Sequence, residues 1–207
     1  MPFNNDEANK DKLLEYRDWA NGKLILCLTD LSWVQWCLEN NIRYYYGFAV
    51  GSFYELQALK KLGVCYVRLA APAFFKLDTV KHIGIPVRVV PNVAHDAPLL
   101  HQDGVCGTWI RPEDIEVYEK YIDAIEFEDC QPQKERALFR IYAEQKRWPG
   151  NIDMIITNFN YKGVNRVVLP EFGERRMTCG QKCQSGGKCR FCYLAMDFAN
   201  IEFLKKL

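Results

Sequence analysis

Short apolar runs and amphipathic stretches alternate along most of this 207-residue chain. Eight apolar runs predict strands, at residues 23–29, 43–50, 64–70, 86–90, 105–110, 123–128, 152–157 and 164–169. Helical patterns separate most of them, and this alternation predicts a parallel sheet. Eight such units predict an α/β fold of TIM-like form, a small (β/α)8 barrel, and an open doubly wound sheet is the alternative.

Turn and cap residues support this division. Gly51 and Ser52 open a predicted helix at 53–62, and Gly63 follows that helix in the C′ position. Gly84 ends the next predicted helix in the same way. The pattern divides the chain into a polar N-terminal segment (1–22), a barrel domain (23–172), a four-cysteine loop (173–193) and a C-terminal helix (194–207).

Composition excludes several classes of protein. The 27 Lys and Arg residues nearly balance the 26 Asp and Glu residues, which argues against a large surface that coats nucleic acid. No apolar stretch is long enough to span a membrane, and the N-terminus does not resemble a signal peptide. Cys27 and Cys65 lie in apolar strand patterns, so we expect buried thiols and a cytoplasmic protein.

Four cysteines near the C-terminus are the strongest chemical signal. Cys179, Cys183, Cys189 and Cys192 have the spacing C-x3-C-x5-C-x2-C in a polar, glycine-containing segment. Four thiolates on one short loop predict a metal centre, either a closed Zn²⁺ site or a [4Fe–4S] cluster. The spacing differs from the radical-SAM signature C-x3-C-x2-C, and we exclude that type of site.

The predicted strand ends supply candidate substrate-binding residues, because chemistry in a barrel lies where its strands end. Glu126 and Glu128 share one face of the sixth strand, and Arg111 follows the neighbouring strand as their natural partner. Asn158 follows the seventh strand. A buried Arg–Glu pair that stabilises the barrel and a substrate-binding role for these residues both remain open.

Basic residues gather around the cysteine loop. Arg175, Arg176, Lys188 and Arg190 could face nucleic acid or an acidic partner, and an ordinary solvated loop explains them equally well.

Three passages carry a resemblance to a known family. They are 46–69 (YGFAVGSFYELQALKKLGVCYVRL), then 110–115 (IRPEDI) with 125–128 (IEFE) and 140–142 (RIY), and finally the cysteine group after the last strand. In these passages the chain resembles the collagenase-like peptidase family. That family also contains RNA hydroxylases and iron–sulfur proteins of oxygen-independent ubiquinone hydroxylation. The family has a Lys-Ile-Glu-Gly-Arg run where this chain has Ala-Ile-Glu-Phe-Glu, so Glu126 is the residue that carries over. The resemblance implies a barrel and makes [4Fe–4S] and Zn²⁺ equal candidates.

Three functional hypotheses follow. The first is an iron–sulfur-dependent enzyme that modifies RNA or a small aromatic by a hydroxylation-type reaction. The second is a non-enzymatic, zinc-stapled structural or assembly protein. The third, a peptidase, depends on the family resemblance alone.

Overall fold

Parallel strand pairs form the centre of the computed structural model, which describes residues 7–71, 73–93, 107–128, 130, 132–148, 152–157, 164–179 and 191–198. Strand β1 (Ile25–Leu28) pairs with β2 (Arg43–Tyr46). A second sheet has the order β3 (Ala49–Val50), β4 (Val67–Leu69), β5 (Val87–Val89) and β6 (Ala124–Ile125), with every pair parallel. The α/β class with a parallel sheet is therefore confirmed.

The predicted second strand is split into β2 and β3 at Gly47. The Gly47 N–H donates to the Leu28 carbonyl over 2.8 Å. A Cβ atom on Gly47 would lie 2.8 Å from the Cys27 sulfur, so only glycine fits here without movement. The Cys65 N–H donates to the Tyr44 carbonyl over 2.9 Å, which links β2 to the segment that leads into β4.

Helices connect these strands, and a smaller antiparallel pair follows. The helices are α1 (Glu7–Trp19), α2 (Val34–Glu39), α3 (Phe53–Lys61), α4 (Leu77–Ile83), α5 (Ile115–Glu119), α6 (Pro132–Glu144), α7 (Phe172–Met177) and α8 (Phe191–Leu194). Strands β7 (Val164–Val167) and β8 (Met196–Phe198) pair antiparallel. Short 3₁₀ turns stand at Leu31–Trp33, Ala73–Phe75, Pro112–Asp114 and Ile152–Met154.

The predicted ends of α3 and α4 are confirmed. The Ser52 hydroxyl accepts a hydrogen bond from the Glu55 N–H over 3.5 Å at the start of α3. Gly63 and Gly84 have φ angles of +77° and +68°, the left-handed conformation that ends a helix most easily at glycine.

The parallel sheet has one apolar face and one polar face. Val67 and Leu69 of β4 and Val87 and Val89 of β5 are buried, in one cluster with apolar side chains of α3 and α4. The residues between them, Arg68 and Arg88, point to the opposite face and are partly exposed. Helices therefore cover the apolar face.

Some sequence predictions are wrong in detail. The described part of the predicted fifth strand, 107–110, contains no strand residues. The predicted seventh strand is a 3₁₀ turn at Ile152–Met154, followed by a single bridge between Thr157 and Val93. The start of the predicted terminal helix contains β8 instead, because Met196–Phe198 completes a ladder with β7. Helix α1 was not predicted.

Helix α1 packs against the core and contacts the end of α2. Leu13 belongs to the buried cluster, and the Arg17 guanidinium donates to the Asn40 carbonyl over 3.1 Å. Within the described residues, no helix combines the length and the apolar character needed to cross a membrane.

Candidate functional site

The polar face of the parallel sheet brings together the chemically active side chains of four strand segments. Alternation along each strand and the register between strands place them on one side. We define this polar face by six residues: Tyr45, Tyr66, Arg68, Arg88, Glu126 and Glu128. All except Tyr66 are partly exposed, so the face is neither a closed core nor a fully solvated surface.

A stack of planar groups crosses this face from β2 to β5. The rings of Tyr45 and Tyr66 are stacked, with centres 4.4 Å apart and planes inclined by 21°. The Arg88 Cζ atom lies 3.4 Å from the centre of the Tyr66 ring, in a cation–π contact. Burial, followed by hydrogen bonding to Cys27, raises the pKa of Tyr45, and burial also raises the pKa of Tyr66. Both tyrosines are therefore neutral at physiological pH.

Arg68 is the charge partner of both glutamates. Its guanidinium forms an ion pair with Glu128, and its Nε atom lies 3.9 Å from Glu126 Oε2. That distance is too long for a hydrogen bond. Within the described chain, Arg68 Nε and Glu126 Oε2 are both buried atoms without a hydrogen-bond partner. Glu126 is therefore held electrostatically, but its position is not fixed by a direct hydrogen bond.

The predicted pairing of Arg111 with Glu126 and Glu128 is wrong. Arg111 is 4% exposed and binds Asp114 with two hydrogen bonds of 2.6 Å. It also donates to the carbonyl groups of Val167 and Pro170, over 3.2 and 3.1 Å. The carboxylate of Asp114, three residues later in the chain, accepts the hydrogen bonds of the Arg111 guanidinium. Arg111 therefore does not need a carboxylate from a more distant strand. These contacts favour a stabilising role for Arg111.

Close backbone packing supports the Arg111–Asp114 pair. A Cβ atom on Gly173 would lie 2.6 Å from the Asp114 Cγ atom. Helix α7 can therefore approach the 3₁₀ turn at Pro112–Asp114 only because position 173 carries no side chain.

Asn92 positions the segment that carries Glu128. Its side-chain amide donates to the Glu128 carbonyl over 2.7 Å and accepts from the Glu128 N–H over 3.2 Å. The Asn92 carbonyl accepts from the Thr157 N–H over 2.7 Å. Asn92 is fully buried and replaces missing strand pairing between these segments.

A second buried arginine, Arg176, lies in α7 shortly before Cys179. Arg176 of α7 donates to the carbonyl groups of Gly107 and Trp109, and its guanidinium packs against the rings of Trp109 and Phe172. It is only 2% exposed, so it cannot face a partner, and this part of the predicted basic surface is wrong. Arg175 is exposed, whereas Lys188 and Arg190 lie outside the described residues.

The described residues on either side of 180–190 both contact helix α7. Phe191 stacks on Phe172 with ring centres 5.7 Å apart, and the Arg175 guanidinium lies 5.4 Å from the Phe191 ring. Cys179 follows α7, with its N–H donating to the Arg176 carbonyl over 3.0 Å, and Cys192 is buried in α8.

Only part of the predicted metal site can be located. Cys183 and Cys189 lie outside the described residues, as does the candidate substrate residue Asn158. Among the residues that the structure describes, no three His, Cys, Asp or Glu side chains are arranged to hold a metal ion. The four-cysteine centre thus stays a prediction.

Cys27 and Cys65 differ from the expected buried thiols. Cys27 is exposed, on the same side of its strand as Tyr45, with which it pairs in register, and Cys65, which precedes β4, is partly exposed. Among the described cysteines, Cys37 of α2 is fully buried, and burial raises its pKa to about 11.

Sequence reasoning missed Arg68, Arg88 and the two tyrosines as site residues. The available signal was a charged residue at the centre of each of two valine-rich strands, Val67–Leu69 and Val87–Val89. Such a residue must emerge on a face that is not packed against helices.

No protein-family model, curated protein or solved structure matches this chain. The resemblance to the collagenase-like peptidase family therefore stays a prediction from the three passages that carry it.

Proposed function

We propose that this chain is a cytoplasmic barrel enzyme that holds its substrate on the polar face and carries a four-cysteine metal centre near it. The proposed reaction is a redox modification of hydroxylation type on an RNA base or a small aromatic molecule. The observation that carries the proposal is the polar face itself, where Arg68, Glu126 and Glu128 adjoin the Tyr45–Tyr66–Arg88 stack.

The distribution of burial supports substrate binding on this face. An α/β sheet that only stabilised a fold would bury apolar side chains on both faces in a doubly wound arrangement. Here Arg68 and Arg88 occupy the centres of β4 and β5 on the side opposite the helices. A parallel sheet with helices on one side, whose other side is filled by its own side chains, fits the layers of a (β/α)8 barrel, and we propose that closure.

Glu126 is the leading candidate for a residue that contacts substrate. It comes directly after β6, at the carboxyl end of the strand, where barrel enzymes bind their substrates. Its carboxylate is partly exposed, and Arg68 compensates its charge without a direct hydrogen bond. A carboxylate with these properties can accept a hydrogen bond from a ligand hydroxyl or N–H group.

The residues at the ends of the cysteine loop are compatible with a shared centre. Phe191 stacks on Phe172 of α7, so the described residues before and after 180–190 meet at one helix. Cys179 and Cys192 belong to these residues. Cys179, Cys183, Cys189 and Cys192 would then hold a [4Fe–4S] cluster. Such a cluster, when bound, supplies electron transfer.

The test uses protein purified without oxygen. The proposal expects iron and sulfide in a ratio of four each per chain, and it expects the metal to be lost in Cys183→Ser. It also expects Glu126→Gln to abolish modification of extracted RNA or of small aromatics while the cluster is retained. A colourless protein with one Zn²⁺ per chain would exclude the redox reaction.

A zinc-stapled structural protein is the second candidate. The aromatic stack of Trp109, Phe172 and Phe191, with Arg176 packed against it, favours this alternative because it joins the loop ends to the core without any catalytic group. In that case Zn²⁺ would replace the cluster on the same four cysteines. Removal of Zn²⁺ would then lower stability, and no variant of Glu126 would change an activity.

A further inference from the structure

Two arginines stand side by side on the polar face, with an alanine on each side. In the parallel register Arg68 pairs with Ala49 and Arg88, and Arg88 pairs with Ala124. Like charges on neighbouring strands destabilise a sheet unless other groups compensate them. The positive charges of Arg68 and Arg88 are compensated by different groups.

Arg68 has two carboxylates, whereas Arg88 has none within the described chain. The contact that Arg88 makes there is with the Tyr66 ring, which the Tyr45 ring supports from behind. Glu126 and Glu128, the acids of this face, both pair with Arg68. A partly buried guanidinium that stacks on an aromatic ring still presents its N–H groups in its own plane.

Ala124 places a small side chain beside this guanidinium. It is the neighbour of Arg88 on β6, is itself partly exposed, and carries only a methyl group on the polar face. Glu126 lies two residues further along the same face, and its negative charge is compensated by Arg68. The position above Ala124 is therefore bordered by Arg88 and by a neutralised carboxylate.

We propose that Arg88 anchors an anion subsite, in which its stacked guanidinium binds a carboxylate or phosphate group of the ligand above Ala124. Two parallel N–H···O bonds from an arginine to such a group are short, strong and directional. The Tyr45–Tyr66 stack holds the guanidinium in one orientation before the ligand arrives, which reduces the entropy lost on binding. The inference rests on the proposed function in one respect, since it takes the polar face as the ligand side.

The test is an NMR titration of the full-length protein with labelled arginine side chains. Inorganic phosphate and acetate are added separately, and the Nε–H signal of Arg88 is identified by its loss in Arg88→Lys. A saturable shift of that signal is expected with phosphate, with acetate or with both. The anion that binds identifies the source as a phosphate ester or a carboxylate.

Three variants complete the test. Ala124→Leu places a bulky side chain where the anion would bind. Arg88→Lys keeps the positive charge but removes the two-pronged N–H donor and the planar contact with the Tyr66 ring. Affinity is compared in every variant through the backbone amide signal of Ile125, which does not depend on Arg88. Both variants are expected to weaken anion binding about tenfold or more, the loss typical of hydrogen bonds to a charged group. The matched control is Arg140→Lys, at an arginine that is exposed and paired with Glu144 on α6, and it should bind as the unaltered chain does. Ala124→Val replaces Ala124→Leu if the larger side chain prevents folding.

Absence of a saturable Arg88 shift with both anions would overturn the inference, as would unchanged affinity in Arg88→Lys and in the Ala124 variant. The titration needs neither metal nor turnover. A protein without an iron–sulfur cluster that binds anions through Arg88 would refute the proposed function alone. An active enzyme that binds anions with the same affinity in Arg88→Lys as in the unaltered chain would refute this inference but not the proposed function.

Discussion

Arg111 and Asp114 form a buried pair joined by two hydrogen bonds of 2.6 Å, at the turn that leads into α5. The contacts of Arg111 extend beyond the turn that contains the pair. Arg111 also reaches the carbonyl groups of Val167 and Pro170, which flank the end of β7 and the start of α7. One side chain thereby connects the segment before α5 to the segment that leads to the cysteine loop.

Asp114→Ala tests the structural role of this pair. It would leave the Arg111 guanidinium buried without its carboxylate, and breaking a buried pair in this way lowers the free energy of unfolding by about 3–5 kcal/mol. Urea denaturation measures the change. Glu144→Ala, which removes an exposed ion pair with Arg140 on α6, is the control and should lower it by less than about 1 kcal/mol. Equal effects of the two substitutions would contradict the role assigned to Asp114.

Gly173→Ala should destabilise the protein although it adds only a methyl group. The new Cβ atom would lie 2.6 Å from Asp114 Cγ, and the packing must shift to accept it. We expect a loss of about 1–3 kcal/mol in urea denaturation, the usual cost of overpacking. Glu174→Ala, at the next and exposed position of α7, is the control. A neutral Gly173→Ala would show that α7 does not approach Asp114 closely.

Much of the fold could be predicted from the sequence, where local signals agree with tertiary packing. The β1 to β5 region follows the apolar runs, and Ser52, Gly63 and Gly84 mark helix ends as expected. The apolar run at 152–157 predicts a strand, and this prediction is wrong because a short apolar run fits a buried turn as well as a strand. Strand β8 could not be foreseen, since Met196–Phe198 becomes a strand only through its pairing with β7.

The site was harder to predict than the fold. Glu126 and Glu128 were identified because they alternate with apolar residues in one run. Position along the chain predicts Arg111 as their partner. The true partner, Arg68, belongs to a strand that is adjacent to β5 and not to β6, so its long side chain reaches across β5 to Glu128. Periodicity predicts on which face of a strand a side chain lies, but it does not predict which residue on another strand a long side chain contacts.

Stability should fall in alkaline solution partly because of Tyr142. This residue is fully buried, and its hydroxyl donates to the carbonyl groups of Ile110 and Pro91, over 2.9 and 3.2 Å. Burial raises the pKa of Tyr142 well above its ordinary value. A raised pKa in the folded state gives stability that is complete below the unfolded-state pKa of about 10 and is lost as the pH rises above it.

The measurement is urea denaturation at several pH values between about 8 and 11, a range that spans the ordinary pKa of tyrosine. Tyr142→Phe should lower stability by about 1–3 kcal/mol at neutral pH, because the buried Ile110 carbonyl loses the hydroxyl as a donor, while the Pro91 carbonyl still accepts from the Ile110 N–H. It should also reduce the loss of stability at alkaline pH. The control, Tyr54→Phe, changes a tyrosine that is 86% exposed and should alter neither quantity. The same alkaline slope in Tyr142→Phe and in the unaltered chain would contradict the argument.

Cysteine alkylation should separate Cys27 from Cys37. Cys27 is exposed, whereas Cys37 is fully buried and its pKa is raised to about 11. The thiolate is the reactive form, so Cys37 should stay unmodified in the folded protein near neutral pH while Cys27 reacts. Peptide mapping by mass spectrometry after brief treatment with iodoacetamide measures this order. Unfolding in urea is the control, because it should make both cysteines reactive. Faster alkylation of Cys37 than of Cys27 in the folded protein would show that α2 does not bury its thiol.

The metal content of the protein, purified without oxygen, tests the central claim most directly. Elemental and sulfide analysis of the unaltered chain and of Cys183→Ser decides whether the four cysteines share one centre and which metal it contains. The proposed enzyme requires four iron and four sulfide per chain in the unaltered protein and their loss in the variant. A protein that holds no stoichiometric metal, or whose metal content is unaffected by Cys183→Ser, would contradict the claim.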